Sequence, residues 1–143
     1  MRKVLVAFDG SDSSKRALQY VIDFARMHKA ELEVHLLNVQ HEAVLYGEYV
    51  NDEMIANMRR SQQEQARELL TWPAEQLEAA GMTCQKHTAL GNVAEQVGIA
   101  VKQLQCDTVV MGTRGLGSFT GLLLGSVATR VIHEVPVPVL LVK

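Results

Sequence analysis

The sequence predicts a single α/β domain spanning residues 1–143, built on a parallel sheet with helices on both faces. Three observations predict it. Five short apolar runs alternate with stretches of helical spacing or composition, and no Gly/Pro/Ser-rich linker separates them. A chain of 143 residues, 48% hydrophobic and 21% charged, suits one packed core. A strand and helix alternation of this kind winds with right-handed crossovers and binds ligands beyond the carboxyl ends of its strands.

The first strand is read at Lys3 to Phe8, an apolar run that ends in the turn residues Asp9-Gly10-Ser11. Ser11, Asp12 and Ser13 can each cap the helix that follows, from about Ser13 to His28, whose Ala17, Leu18, Val21, Ile22, Phe24 and Ala25 recur at helical spacing. Glu31 to Val39 is the second strand. From about Asp52 to Gly81 the composition is helical, interrupted at Trp72-Pro73. Proline lacks an N–H and clashes one turn back, so either the helix kinks there or Thr71 caps a second segment with Pro73 in its first turn. Thr83 to Ala89 makes the third strand. Asn92 and Glu95 open a helix to about Gln103. Asp107 to Met111, a glycine-rich loop, a helix from about Gly125 to Glu134 and a strand from Val137 to Val142 complete the chain.

Several functions are disfavoured. The net charge is -2, and no like-charge run exceeds a pair such as Arg59-Arg60, so a nucleic-acid partner is not expected. Asp9 breaks the first apolar run well short of a signal-peptide core or a membrane span, which points to a cytoplasmic protein without membrane insertion. Cys84 and Cys106 lack the spacing of a redox or zinc motif, and the five histidines form no His-x-x-x-His pair, so no metal ligand is assigned to the protein itself.

The segment after the fourth strand carries the functional signal. Gly112-Thr-Arg-Gly115 is followed by nine residues and then by Gly125-Ser126-Val127 at a helix start. Glycines admit positive φ and let backbone N–H groups reach a ligand, and a helix N-terminus offers unpaired donors with a partial positive charge. Together these suit a phosphate chain, with the Ser126 hydroxyl and the Arg114 guanidinium as further donors. The alternative is that Gly112, Gly115 and Gly117 shape a tight connection and Ser126 caps its helix. No Gly-Lys-Ser/Thr triplet of a P-loop is present, and Gly115-Leu-Gly117 lacks the third glycine of a dinucleotide fingerprint. Asp9 and Asp12 could be the acidic pair of a phosphoryl-accepting receiver, but the third strand ends in Thr88-Ala89-Leu90-Gly91 and offers no acceptor aspartate.

The spacing Gly112-x2-Gly115-x9-Gly125-Ser126, the opening Val6-Ala7-Phe8-Asp9-Gly10-Ser11 and the closing Pro136-Val137-Pro138-Val139-Leu140-Leu141-Val142 resemble the ATP-binding branch of the universal stress protein family. The resemblance covers essentially the whole chain. It implies one Rossmann-like, doubly wound nucleotide-binding domain whose five-stranded parallel sheet has the order 3-2-1-4-5. It also implies ATP, AMP or another adenine nucleotide across the carboxyl edge of the sheet. Ala7 and Val39 would line the base and Asp9 would lie near the adenosine; Met111, Gly112, Arg114 and Gly115 would border ribose and triphosphate. Gly125, Ser126 and Val127 would bind phosphate, and Mg2+ or Mn2+ would ride on the phosphates. A homodimer through Val137 to Val142 is implied, with a tetramer as the alternative. The start Gly91-Asn92-Val93 departs from the proline many relatives carry there. Asp9 has a second reading as the carboxylate of the Asp-Gly-Ser turn.

Function then divides into two classes. The first is a nucleotide-dependent stress-response regulator or sensor with little or no hydrolysis, acting on an unknown protein partner. The second is a slow ATPase or autophosphorylating enzyme, which would need a base beside Ser126 that the loop does not supply. No catalytic residue is assigned. The segment from His41 to Asn51, with Tyr46 and Tyr49, is either a flap over the site or an oligomer contact.

Overall fold

The computed structural model describes residues 1–42, 47, 49–116 and 124–143. The elements run β1 (Lys3–Ala7), α1 (Asp12–His28), β2 (Glu33–Gln40), α2 (Asp52–Leu69), α3 (Thr71–Ala79), β3 (Cys84–Leu90), α4 (Val93–Leu104), β4 (Thr108–Gly112), α5 (Ser126–Glu134) and β5 (Val139–Val142). All five strands are parallel in the order β3-β2-β1-β4-β5, as expected. The switch point lies between β1 and β4, where consecutive connections leave to opposite sides.

Successive residues of the central strands feed two cores, which is why those strands read as unbroken apolar runs. Val4 and Val6 of β1, Val34 and Leu36 of β2 and Val110 of β4 pack with Ala17, Leu18 and Val21 of α1 and with Leu70 and Leu77. Leu5, Leu37, Val109 and Met111 pack on the other face with Ala94, Val97 and Val101 of α4 and Ala128 and Val131 of α5. Among the described residues no helix is long and apolar enough to cross a membrane.

The caps follow the local chemistry. Ser11 is the N-cap of α1, its hydroxyl accepting from the Ser14 N–H at 3.2 Å, and Asn92 does the same for α4 through the Glu95 N–H. At Trp72-Pro73 the chain adopts the second predicted form, two helices with Pro73 in the first turn of α3. The cap position there is the buried Leu70 rather than Thr71, without a side-chain cap bond. The last strand starts at Val139 rather than Val137. Pro138 has no N–H to give the ladder and contributes only its carbonyl, which accepts from the Val109 N–H at 3.0 Å.

One polar group inside the second face was not legible from spacing. His35 of β2, 2% exposed, lies 2.9 Å through Nδ1 from Nε2 of His87 on β3, and 3.1 Å through Nε2 from the Glu33 carboxylate. Lys3, 3.0 Å from Glu33, holds that carboxyl below its usual range by hydrogen bonding. Burial, and then the neighbouring His35, hold His87 below the ordinary imidazole value. As pH falls through about 6.5, the unfolded chain takes up a proton at this position before the folded chain does, so folding stability declines toward acid. The melting temperature is expected to drop between pH 7 and 5 less steeply in His87→Gln than in the parent chain. Parallel pH profiles for the two proteins would remove His87 as a source of the acid sensitivity.

Candidate functional site

At the switch point β1 and β2 part from β4, and the gap is shaped by a few local bonds. The Phe8 N–H still donates to Leu37 at 2.9 Å, and the buried Asn38 side chain donates to the Phe8 carbonyl at 2.7 Å, holding the end of β1 after the ladder stops. Asp9 then accepts from the Ser11 N–H through Oδ1 at 2.9 Å, across Gly10 at φ +83°. The predicted turn chemistry of Asp9 is therefore present, and it engages one carboxylate oxygen.

On the other side β4 ends at Gly112. The Thr113 N–H donates to the Val142 carbonyl and the Thr113 carbonyl accepts from the Gly125 N–H, both at 2.8 Å. The second bond brings the start of α5 beside the end of β4. Gly125 is the N-cap of α5 and has no side-chain cap; Ser126 is the first helical residue rather than the cap. The N–H groups of Ser126, Val127 and Ala128 therefore lack intrahelical acceptors and carry the positive end of the helix dipole. The Ser126 side chain is exposed.

Between these ends lies a cleft of about 410 Å³. All ten residues nominated from the sequence line it: Ala7, Asp9, Val39, Met111, Gly112, Arg114, Gly115, Gly125, Ser126 and Val127. Ala7, Val39, Val93 and Met111 form an apolar part, and the exposed Arg114 and the half-buried Asp9 supply one cation and one carboxylate. Among the described residues no group of three His, Cys, Asp or Glu could hold a metal, and no hydrogen bond links Ser126 to a base. Gly117 and Tyr46 lie outside the described residues.

The glycines differ from their sequence-based reading in one respect. The described positive-φ glycines are Gly10, Gly47, Gly81 and Gly91, so Gly112, Gly115 and Gly125 are not required by backbone conformation. Close approach requires glycine at 112, and a side chain at 115 or 125 would be crowded. A Cβ on Gly112 would lie 2.8 Å from the carbonyl carbon and Cβ of Ser13 in α1, and one on Gly115 would lie 2.9 Å from Oδ2 of Asp9. A Cβ on Gly125 would come within 3.2 Å of the Thr113 carbonyl. Sequence reasoning missed Asn38, Thr113 and the Ser11–Ser13 pair. The run of serines after Asp9 signals the Ser11–Ser13 pair, whereas Asn38 and Thr113 carry no local signal.

The model of the universal stress protein family matches residues 1–143. The chain belongs to that family. Its relatives include a universal stress protein of Thermus aquaticus, encoded 3' of a QAH/OAS sulfhydrylase, 34% identical over 99% of this chain and 98% of that one. Among solved structures, the universal stress protein UspA from Lactobacillus plantarum superposes with a TM-score of 0.83 over 99% of this chain and 97% of its own, at 18% identity. A universal stress protein family protein from Arabidopsis thaliana, solved with AMP bound, gives 0.73 over 100% and 92%, at 24% identity. These likenesses establish for the family member described here the five-stranded doubly wound fold.

Proposed function

We propose that this universal stress protein binds ATP or a related adenine nucleotide in the cleft and acts in the cytoplasm as a nucleotide-dependent stress-response regulator with little or no hydrolysis. The observation that carries the reading is the convergence of the ten residues on one cleft, which brings together the first-turn amides of α5, without an acceptor among the described residues, and the apolar residues Ala7 and Val39. Phosphate suits the amides and Arg114, and an aromatic base suits the wall. The AMP held by the Arabidopsis relative supports an adenine nucleotide. Asp9, the one carboxylate among the described lining residues, fits a Mg2+ or Mn2+ ion carried largely by phosphate oxygens, which would neutralise the chain of charges there. The half-buried apolar β5, at the edge of the sheet, is the surface through which we propose that two copies pair.

Native mass spectrometry of the freshly purified protein tests both parts. An adenine nucleotide on a two-chain species is expected, and ATP with magnesium should rebind to emptied protein and shift the emission of Trp72. That residue is the only tryptophan, and it stacks on Phe8 at the back of the cleft with ring centroids 6.0 Å apart. Neither bound nucleotide nor rebinding would sink the nucleotide reading, a single-chain species would sink the pairing, and turnover of the added ATP would replace the sensor by an enzyme.

A further inference from the structure

The bond pattern behind the cleft assigns a task to residues that do not line its phosphate end. The main-chain carbonyl of Arg114 is not directed to solvent. It accepts a hydrogen bond from the Ser13 hydroxyl and a second, at 3.3 Å, from the Ser11 hydroxyl. The two hydroxyls are themselves 3.2 Å apart, and both serines are buried, Ser11 to 8% and Ser13 to 5% exposure. Ser14 closes the cluster by donating to the Ser11 carbonyl at 2.9 Å. The first turn of α1 thus grips the chain as it leaves β4, and Gly112 is glycine because the Ser13 backbone occupies the space where a side chain would go.

We propose that Ser13, supported by Ser11, is a positioning residue for the phosphate end of the site. In a trans peptide the N–H of the next residue points opposite to the carbonyl. Anchoring the Arg114 C=O on α1 therefore directs the Gly115 N–H away from α1, and that N–H has no backbone acceptor among the described residues. Thr113, one residue before the anchored carbonyl and itself tied to Val142 through its N–H, receives the Gly125 N–H on its carbonyl, so the anchor limits movement next to the point where α5 begins. The hydroxyl thus aims the Gly115 amide and, together with the bond of Thr113 to β5, steadies the start of α5. Without it the Arg114–Gly115 peptide is free to rotate, and the donors are no longer aimed before the ligand arrives.

The inference rests on the nucleotide reading above, and the experiment separates the two. Ser13→Ala removes the donor; Ser13→Cys keeps the bulk with a poor donor. Binding of ATP, AMP and adenosine is measured for both variants and the parent chain, together with amide exchange at Gly125. Both variants are expected to lose about fivefold in ATP affinity, the worth of one hydrogen bond, with AMP affected in the same direction and adenosine unchanged. Exchange at Gly125 is expected to accelerate. Parent-like ATP affinity in either variant, or an equal loss for adenosine and ATP, overturns the proposal, because a merely loosened fold would weaken both ligands alike. If the parent chain binds none of the three, the nucleotide reading falls; the anchoring itself then stands on faster Gly125 exchange in Ser13→Ala and falls on unchanged exchange.

Discussion

Replacing Gly115 by valine is expected to reduce ATP binding by about 10- to 150-fold, the loss of one charge-assisted hydrogen bond, while leaving the chain folded. The new Cβ would lie 2.9 Å from Oδ2 of Asp9, so either the carboxylate is displaced or the loop swings outward. Both movements disturb a cleft-lining residue, and the valine branches add bulk beside the peptide whose N–H is proposed to meet phosphate. Gly115 is exposed, so the melting temperature should change little. Calorimetric titration with ATP and a thermal scan of the same preparation make the comparison. Unchanged affinity in a folded Gly115→Val protein would remove the loop from the binding site.

The second large effect is on stability and comes from the neighbouring glycine. Gly112→Val places a Cβ 2.8 Å from main-chain and side-chain carbon of Ser13, closer than unbonded carbons approach. Gly112 is buried at the end of β4, which packs along α1, so the collision is with a helix backbone rather than with the tip of a flexible side chain. Overpacking of this kind costs about 1–3 kcal/mol, which for a chain of this size lowers the melting temperature by roughly 3–10 °C. Gly112→Ala should show part of the loss. Melting temperatures equal to the parent's in both variants would mean that α1 can withdraw from β4 without cost.

These two glycines also show where reading the sequence stops. Their spacing locates the loop, and all ten residues nominated with it do meet in one cleft. What the spacing cannot show is why each glycine is there, because the atoms that exclude a side chain belong to Ser13 and Asp9, about a hundred residues earlier. The central strands were legible for the opposite reason. Val4, Leu5 and Val6 are buried on both faces, and that leaves a local apolar run. Caps such as Ser11 and Asn92 were legible because capping is local. The pairing of His35 with His87 was not, since 52 positions separate them and each alone looks like an isolated polar residue in a strand. The start of β5 was read two residues early because valine at 137 suits a strand, whereas the rigid rings at 136 and 138 decide where the ladder can begin.

The two margins of the sheet are unlike each other. β3 presents Gln85 and Lys86 to solvent, whereas β5 is Val-Leu-Leu-Val throughout. A chain with two apolar margins could add copies at either end without limit, and such growth is how sheets become fibres. Here only one margin invites a neighbour. The two-fold union proposed across it would consume the invitation on both copies and turn two lysine-bearing margins outward, so growth would end at a closed pair.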